Sequence, residues 1–133
     1  MANAPKALNE ALVKSLPDKG PVVMVNLVRL RERSTDGNGT GWDAYLRYSQ
    51  ATMPLIKARG GTVLWAGNAE GVSFGDLHGA RWDYVVLVQY PSRAAFLDMM
   101  TSDDYARANV HRENGVEDHV ILAAEETYSK LGK

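Results

Sequence analysis

The sequence predicts an α+β fold whose elements run strand, helix, strand, strand, helix, strand. Three observations carry this. Residues 21–30 (PVVMVNLVRL) and 82–90 (WDYVVLVQY) are apolar on both alternating sets, as strands covered on both faces are. Residues 42–59 place Trp42, Tyr45, Leu46, Ser49, Met53 and Ile56 at three- and four-residue steps, the spacing of an amphipathic helix. Proline, serine and paired glycine stand where these elements should stop and start.

With 133 residues the chain reads as one domain (1–133), a helical extension at 1–20 followed by a core at 21–127. That length suffices to bury roughly two thirds of the unfolded surface in one core. The formal net charge is −1 and the basic residues are scattered, so a nucleic-acid partner is not expected. Cysteine is absent, which excludes disulfides, thiolate nucleophiles and thiolate metal sites and fits a reducing compartment. The first residues lack the apolar core of a signal peptide, and no apolar run approaches the roughly 18 residues of a membrane span. A soluble, cytoplasmic protein is expected.

Taken in order, residues 7–16 put Leu8, Leu12, Val13 and Leu16 on one helical face, and Pro17 ends that helix. The strand 21–30 follows. One face of its apolar pattern can be covered by the chain's own helices, and in so small a domain the other calls for a second copy. Asn26 interrupts the pattern. Two readings stand: an amide satisfied by a neighbouring backbone group, or a polar group lining a pocket. Arg29, Arg31 and Arg33 read as a strand running out into solvent. The loop 32–41 is glycine-rich but lacks the Gly-Lys-Ser/Thr ending of a phosphate loop.

The helix 42–59 contains Pro54, where a kink is expected, and stops at Gly60-Gly61 with a left-handed cap. Residues 62–66 form a second strand. A long connection, 67–80, carries His78 in a turn-rich exposed setting, and Val72-Ser73-Phe74 could extend the pairing. The strand 82–90 ends at Pro91, and Ser92 caps the helix 93–100. Ser102 caps the next helix, whose first turn carries Asp103 and Asp104 where the helix dipole favours negative charge. Asn114-Gly115 ends it, 119–125 is the last strand, and the tail reads as frayed. This order is the split βαβ, or ferredoxin-like, arrangement.

The runs PVVMVNLVRLRE, GWDAYLRYSQATMPLIKARGGTVLWAG and WDYVVLVQYPSRAAFLDMM, with the ending HRE-G-VED, resemble the domain-of-unknown-function thirteen-thirty family of the dimeric α/β-barrel superfamily. The likeness spans about residues 21–125. It implies a four-stranded antiparallel sheet with helices on one face, two such sheets packing face to face as a homodimeric barrel. In the wider superfamily it implies pockets between sheet and helices, serving cofactor-independent oxygenases, haem-degrading oxygenases, isomerases, cyclases and lyases.

The candidate site gathers Asn26 from the first strand, Tyr45 and Tyr48 from the long helix, Trp82 and Tyr90 from the third strand, and His111 with Arg112 from the last helix. His111 is the side chain among them whose ordinary pKa suits proton transfer near neutrality, so His111 and Asn26 are the expected catalytic pair. Arg112 suits a carboxylate or an enolate-like oxygen, and Tyr45, Tyr48, Trp82 and Tyr90 complete the substrate pocket. The alternative places His111 and Arg112 as caps on the helix carbonyls. His78, His111 and His119 have no metal-binding spacing, so no metal is expected. No serine lies in a nucleophile elbow and no dinucleotide fingerprint follows a strand. The leading expectation is a cofactor-free acid–base enzyme acting on a small carbonyl-bearing or aromatic molecule. A non-catalytic binding or accessory homodimer is the second, and a haem-dependent or haem-degrading oxygenase the third.

Overall fold

The computed structural model describes residues 4–131. Its elements are α1 (Glu10–Ser15), β1 (Val22–Leu30), α2 (Gly41–Ala58), β2 (Thr62–Asn68), β3 (Tyr84–Tyr90), α3 (Arg93–Met100), α4 (Asp103–Gly115) and β4 (Val116–Ala124). The four strands form one antiparallel sheet in the order β2-β3-β1-β4. This is the ferredoxin-like α+β arrangement anticipated from the element order.

Local chemistry sets the helix ends. Thr40 and Asp43 form a capping box at the start of α2, Thr40 Oγ1 accepting from Asp43 N at 3.1 Å and Asp43 Oδ2 accepting from Thr40 N at 2.9 Å. The helix continues through Pro54 to Ala58 as one element. It closes with a Schellman motif, Gly61 N donating to Ile56 O and Gly60 N to Lys57 O. Gly60 stands there at φ +77°, which a side chain would strain. Ser92 and Ser102 accept from Ala95 N and Tyr105 N, so both expected caps hold. Asp18 adds a second acceptor for α3, taking Arg93 N and Ala94 N.

The helices cover one sheet face. Val22, Met24 and Val28 of β1 and Val86, Val88 and Tyr90 of β3 point into it and are buried. The alternate residues Val23, Val25, Leu27, Val85 and Leu87 point the other way and are only half-buried. On that same face Trp65 and Leu122 remain 46% and 55% exposed, so the chain does not cover it alone.

Several elements depart from the sequence expectation. Leu46 and Met53, placed on the inner face of α2 by spacing, are exposed, and Ala44 and Thr52 take the interior instead. Residues 72–74 extend no strand; Phe74 is 98% exposed on the loop between β2 and β3. α4 ends at Gly115 as expected, but β4 starts directly from it at Val116, ahead of the expected start at His119.

Gly115 explains that tight junction. A Cβ there would lie 2.5 Å from Gly41 O and 2.7 Å from Ala44 Cβ, because the end of α4 crosses the first turn of α2 in backbone contact. Gly115→Ala is expected to lower stability by about 1–3 kcal/mol, the cost of overpacking a dense contact. Urea denaturation of the variant beside the parent protein measures it.

Candidate active site

Two cavities of about 200 and 250 Å³ lie between the sheet and the helices. The first sits under α2 against β2, β3 and β1, and Asn26, Tyr45, Tyr48, Tyr84 and Tyr90 are among its walls. The second lies between α1, α4 and β4, with Asn9, Tyr105, Arg112 and His119 among its walls. Met24, Phe96, Met100 and Ile121 border both.

The boundary is bridged by two hydrogen bonds. One joins His119 Nε2 to Asn26 Oδ1 at 2.9 Å; the other joins the Tyr48 and Tyr105 hydroxyls at 2.8 Å. Each links a residue of the first cavity to a residue of the second.

The network determines the protonation pattern. Asn26 Nδ2 donates to Met24 O at 3.1 Å and to Val86 O at 3.4 Å, so its Oδ1 is the acceptor facing the imidazole. His119 therefore carries its proton on Nε2. Its Nδ1 holds the lone pair, which accepts from Arg112 Nη1 at 3.3 Å. Arg112 Nε donates to Asn109 Oδ1 at 2.6 Å, and Asn109 Nδ2 donates to Glu113 Oε2 at 3.3 Å. The Arg112 guanidinium also lies near the Tyr105 hydroxyl and opposes part of the effect of burial on it.

Electrostatics follow from this geometry. Burial and the Arg112 guanidinium push His119 down to about 3, against a smaller opposing pull from Asp118. The imidazole is neutral at physiological pH. Burial pushes the Tyr45 phenol up to about 12 and raises Tyr48, Tyr90 and Tyr105 as well. These phenols are hydrogen-bonding groups, not acids, near neutrality.

The expected site residues divide accordingly. Asn26, Tyr45, Tyr48 and Tyr90 come together around the first cavity, and Arg112 joins them through His119 and Tyr105. Tyr90 is a wall rather than a reactive group, its hydroxyl donating to Met99 Sδ at 3.9 Å. Trp82 lies before β3 with the Arg29 guanidinium 5.7 Å over its ring, and it lines neither cavity.

His111 does not reach the cluster. Tyr105, Ala108, Asn109 and Arg112 repeat at helical steps on the buried side of α4, and His111 falls about 120° away from the Tyr105 direction. It borders instead a shallow surface groove with Ala51, Leu55, Asp104, Arg107 and Ala108. His119 takes the central place because it lies opposite Val28 on β4, diagonal to Asn26 on the helix-covered face. That diagonal depends on strand register, which no local spacing encodes. Tyr105 and Asn109, also unforeseen, are marked only by their step relation to Arg112.

The family model described as "Domain of unknown function (DUF1330)" matches residues 39–125. The chain belongs to that family. Its crystal-structure relatives include the RPA0582 protein of unknown function from Rhodopseudomonas palustris, 34% identical, with TM-score 0.81 over 94% of this chain and 96% of that one. A dimeric protein of unknown function and ferredoxin-like fold from Bacteroides fragilis is 12% identical, with TM-score 0.55 over 83% of this chain and 100% of the other. SnoaB, a cofactor-independent oxygenase from Streptomyces nogalater, is 11% identical, with TM-score 0.51 over 81% of this chain and 96% of its own. The two distant likenesses establish the shared fold. No curated protein matches the sequence.

The low proton affinity of His119 has a direct consequence for stability. In the unfolded chain the imidazole takes up its proton near its ordinary value of 6.5, whereas the folded protein resists until about 3. Between those values the unfolded state binds more protons, so stability falls as pH drops through that window. His119→Gln is expected to recover about 1–2 kcal/mol of the acid-dependent loss between pH 7 and pH 5. Urea midpoints of both proteins at the two pH values measure the difference in slope.

Proposed function

We propose that the protein is a small cofactor-free enzyme performing acid–base chemistry on a carbonyl-bearing or aromatic molecule held between sheet and helices. His119 takes the role that sequence spacing offered to His111. The observation that supports this most is the imidazole itself: it stands in a cavity wall, its tautomer set by Asn26 and its lone pair turned toward Arg112. A substrate oxygen that draws the guanidinium to itself uncovers Nδ1 and removes part of the positive charge that weakens it as a base. Arg112 and the neutral phenol of Tyr105 are then donors for the enolate-like oxygen that proton removal creates. Asn26 is a positioning residue in this scheme, since its contact is with His119.

A second reading has its own support. The cluster from Asn26 to Glu113 satisfies its polar atoms within the chain, as a purely structural network does. On that reading the protein is a binding or accessory homodimer. SnoaB lends the enzymatic reading an analogy of fold alone.

Deuterium exchange separates the two. The protein is incubated in D2O with a panel of small ketones and 1,3-dicarbonyls, and exchange beside the carbonyl is followed by proton NMR. Accelerated exchange is expected, falling at least about 100-fold in His119→Gln and persisting in His111→Gln. Loss in His111→Gln alone would reverse the assignment, and no acceleration with any of the panel favours the binding protein.

We further infer a homodimer through the open sheet face. Burying Trp65 and Leu122 contributes about 1.5–3 kcal/mol for each side chain, and the Bacteroides fragilis neighbour of this fold is described as dimeric. Trp65→Glu with Leu122→Glu is expected to shift the sedimentation profile from dimer to monomer. A parent protein that sediments as a monomer at micromolar concentration overturns the inference.

A further inference from the structure

The second cavity holds a charge that no carboxylate among the described residues pairs with. Arg112 borders it, and its hydrogen-bond partners are the Asn109 amide and the neutral His119 ring, with the Tyr105 hydroxyl nearby. No carboxylate lies within ion-pair distance of the guanidinium among the described residues; the neighbouring Glu113 reaches Asn109 instead. A half-buried guanidinium without a counter-charge carries part of the desolvation cost of a buried ion. An anion supplied from outside removes it.

The rest of the cavity narrows what that anion can be. Among the described residues Arg112 is the single charged side chain in its walls, so none of them repels a negative group. Leu8, Val13 and Leu16 from the N-terminal segment face Phe96 and Ile121 across about 250 Å³ of mostly apolar space. That volume suits one ring or a short acyl chain beside a single carboxylate, and a phosphate ester or a dicarboxylate would leave its second charge against leucine. The planar fork of arginine matches a carboxylate's two oxygens.

We propose that this cavity is a binding site for a small aromatic or short-chain monocarboxylic acid, with the carboxylate on Arg112 and the apolar body between α1 and β4. The proposal rests on reading the His119 cavity as the one that takes ligand, and it names the ligand's class. It also links to the chemistry above, because a carboxylate on Arg112 offsets the charge beside the imidazole and releases its lone pair. α1 is suited to close over such a ligand. Its six residues include no buried side chain and its N-cap Asn9 makes no side-chain hydrogen bond, while Asp18 pins the segment to the start of α3.

Isothermal titration with phenylacetate and its neutral isostere phenylacetamide tests this. Phenylacetate is expected to bind at least about tenfold more tightly than the amide, the margin of a charge-assisted pair over a neutral one. Arg112→Gln should abolish that preference with circular dichroism unchanged. Because this substitution could disturb folding through Asn109, Ala123→Phe provides a second arm: Ala123 borders only the second cavity, and filling it should abolish binding. Ala66→Phe, which narrows only the first cavity, should leave binding intact. Equal affinities for acid and amide, no saturable heat below about 10 mM phenylacetate, or loss in Ala66→Phe but not Ala123→Phe overturns the proposal. Phenylacetate binding without any carbonyl exchange sinks the catalytic reading and leaves this one standing.

Discussion

The hydrogen bond between His119 and Asn26 is the constraint on which the interior depends. Asn26 occupies a position in the central strand whose neighbours Met24 and Val28 are almost wholly buried. An amide in such a layer is costly unless its donors and acceptor are matched. Its Nδ2 finds two strand carbonyls and its Oδ1 finds the imidazole. The imidazole in turn is neutral and passes its remaining nitrogen to Arg112. One polar residue in an apolar strand thus organises a chain of polar contacts from β1 through β4 to α4, between two cavities.

Helix α4 supplies the other half of that chain by its periodicity. Tyr105, Asn109 and Arg112 recur on one side, and the junction with β4 is held close to α2 by the small side of Gly115. The approach brings Tyr48 of α2 within hydrogen-bonding distance of Tyr105. Both phenols are buried enough to stay protonated, so they supply direction without charge. The cations and carboxylates of the remaining surface, such as Arg59 with Asp98 and Arg29 with Glu117, pair where solvent screens them and add little.

A fold shared with proteins of unrelated chemistry assigns no reaction. The family itself is defined by a domain of unknown function, so any function rests on the side chains that meet between sheet and helices. Those side chains include one neutral imidazole, one guanidinium and several neutral phenols, the groups on which the proposed carbonyl and carboxylate chemistry rests.

The sequence by itself determined the element order, the serine and threonine caps, the glycine stop after α2 and the apolar pattern of β1 and β3. These are local properties, written in neighbours three or four residues apart on helices and two apart on strands. It also singled out Asn26, Tyr45, Tyr48 and Arg112. The meeting of His119 with Asn26 lay beyond it. His111 looked suitable because it adjoins Arg112, but adjacent residues on a helix diverge by about 100°. His119 meets Asn26 across 93 positions of chain, and that meeting follows from the register of β1 against β4. Register is decided when whole strands align to bury their apolar faces, so only the tertiary structure could bring His119 to Asn26.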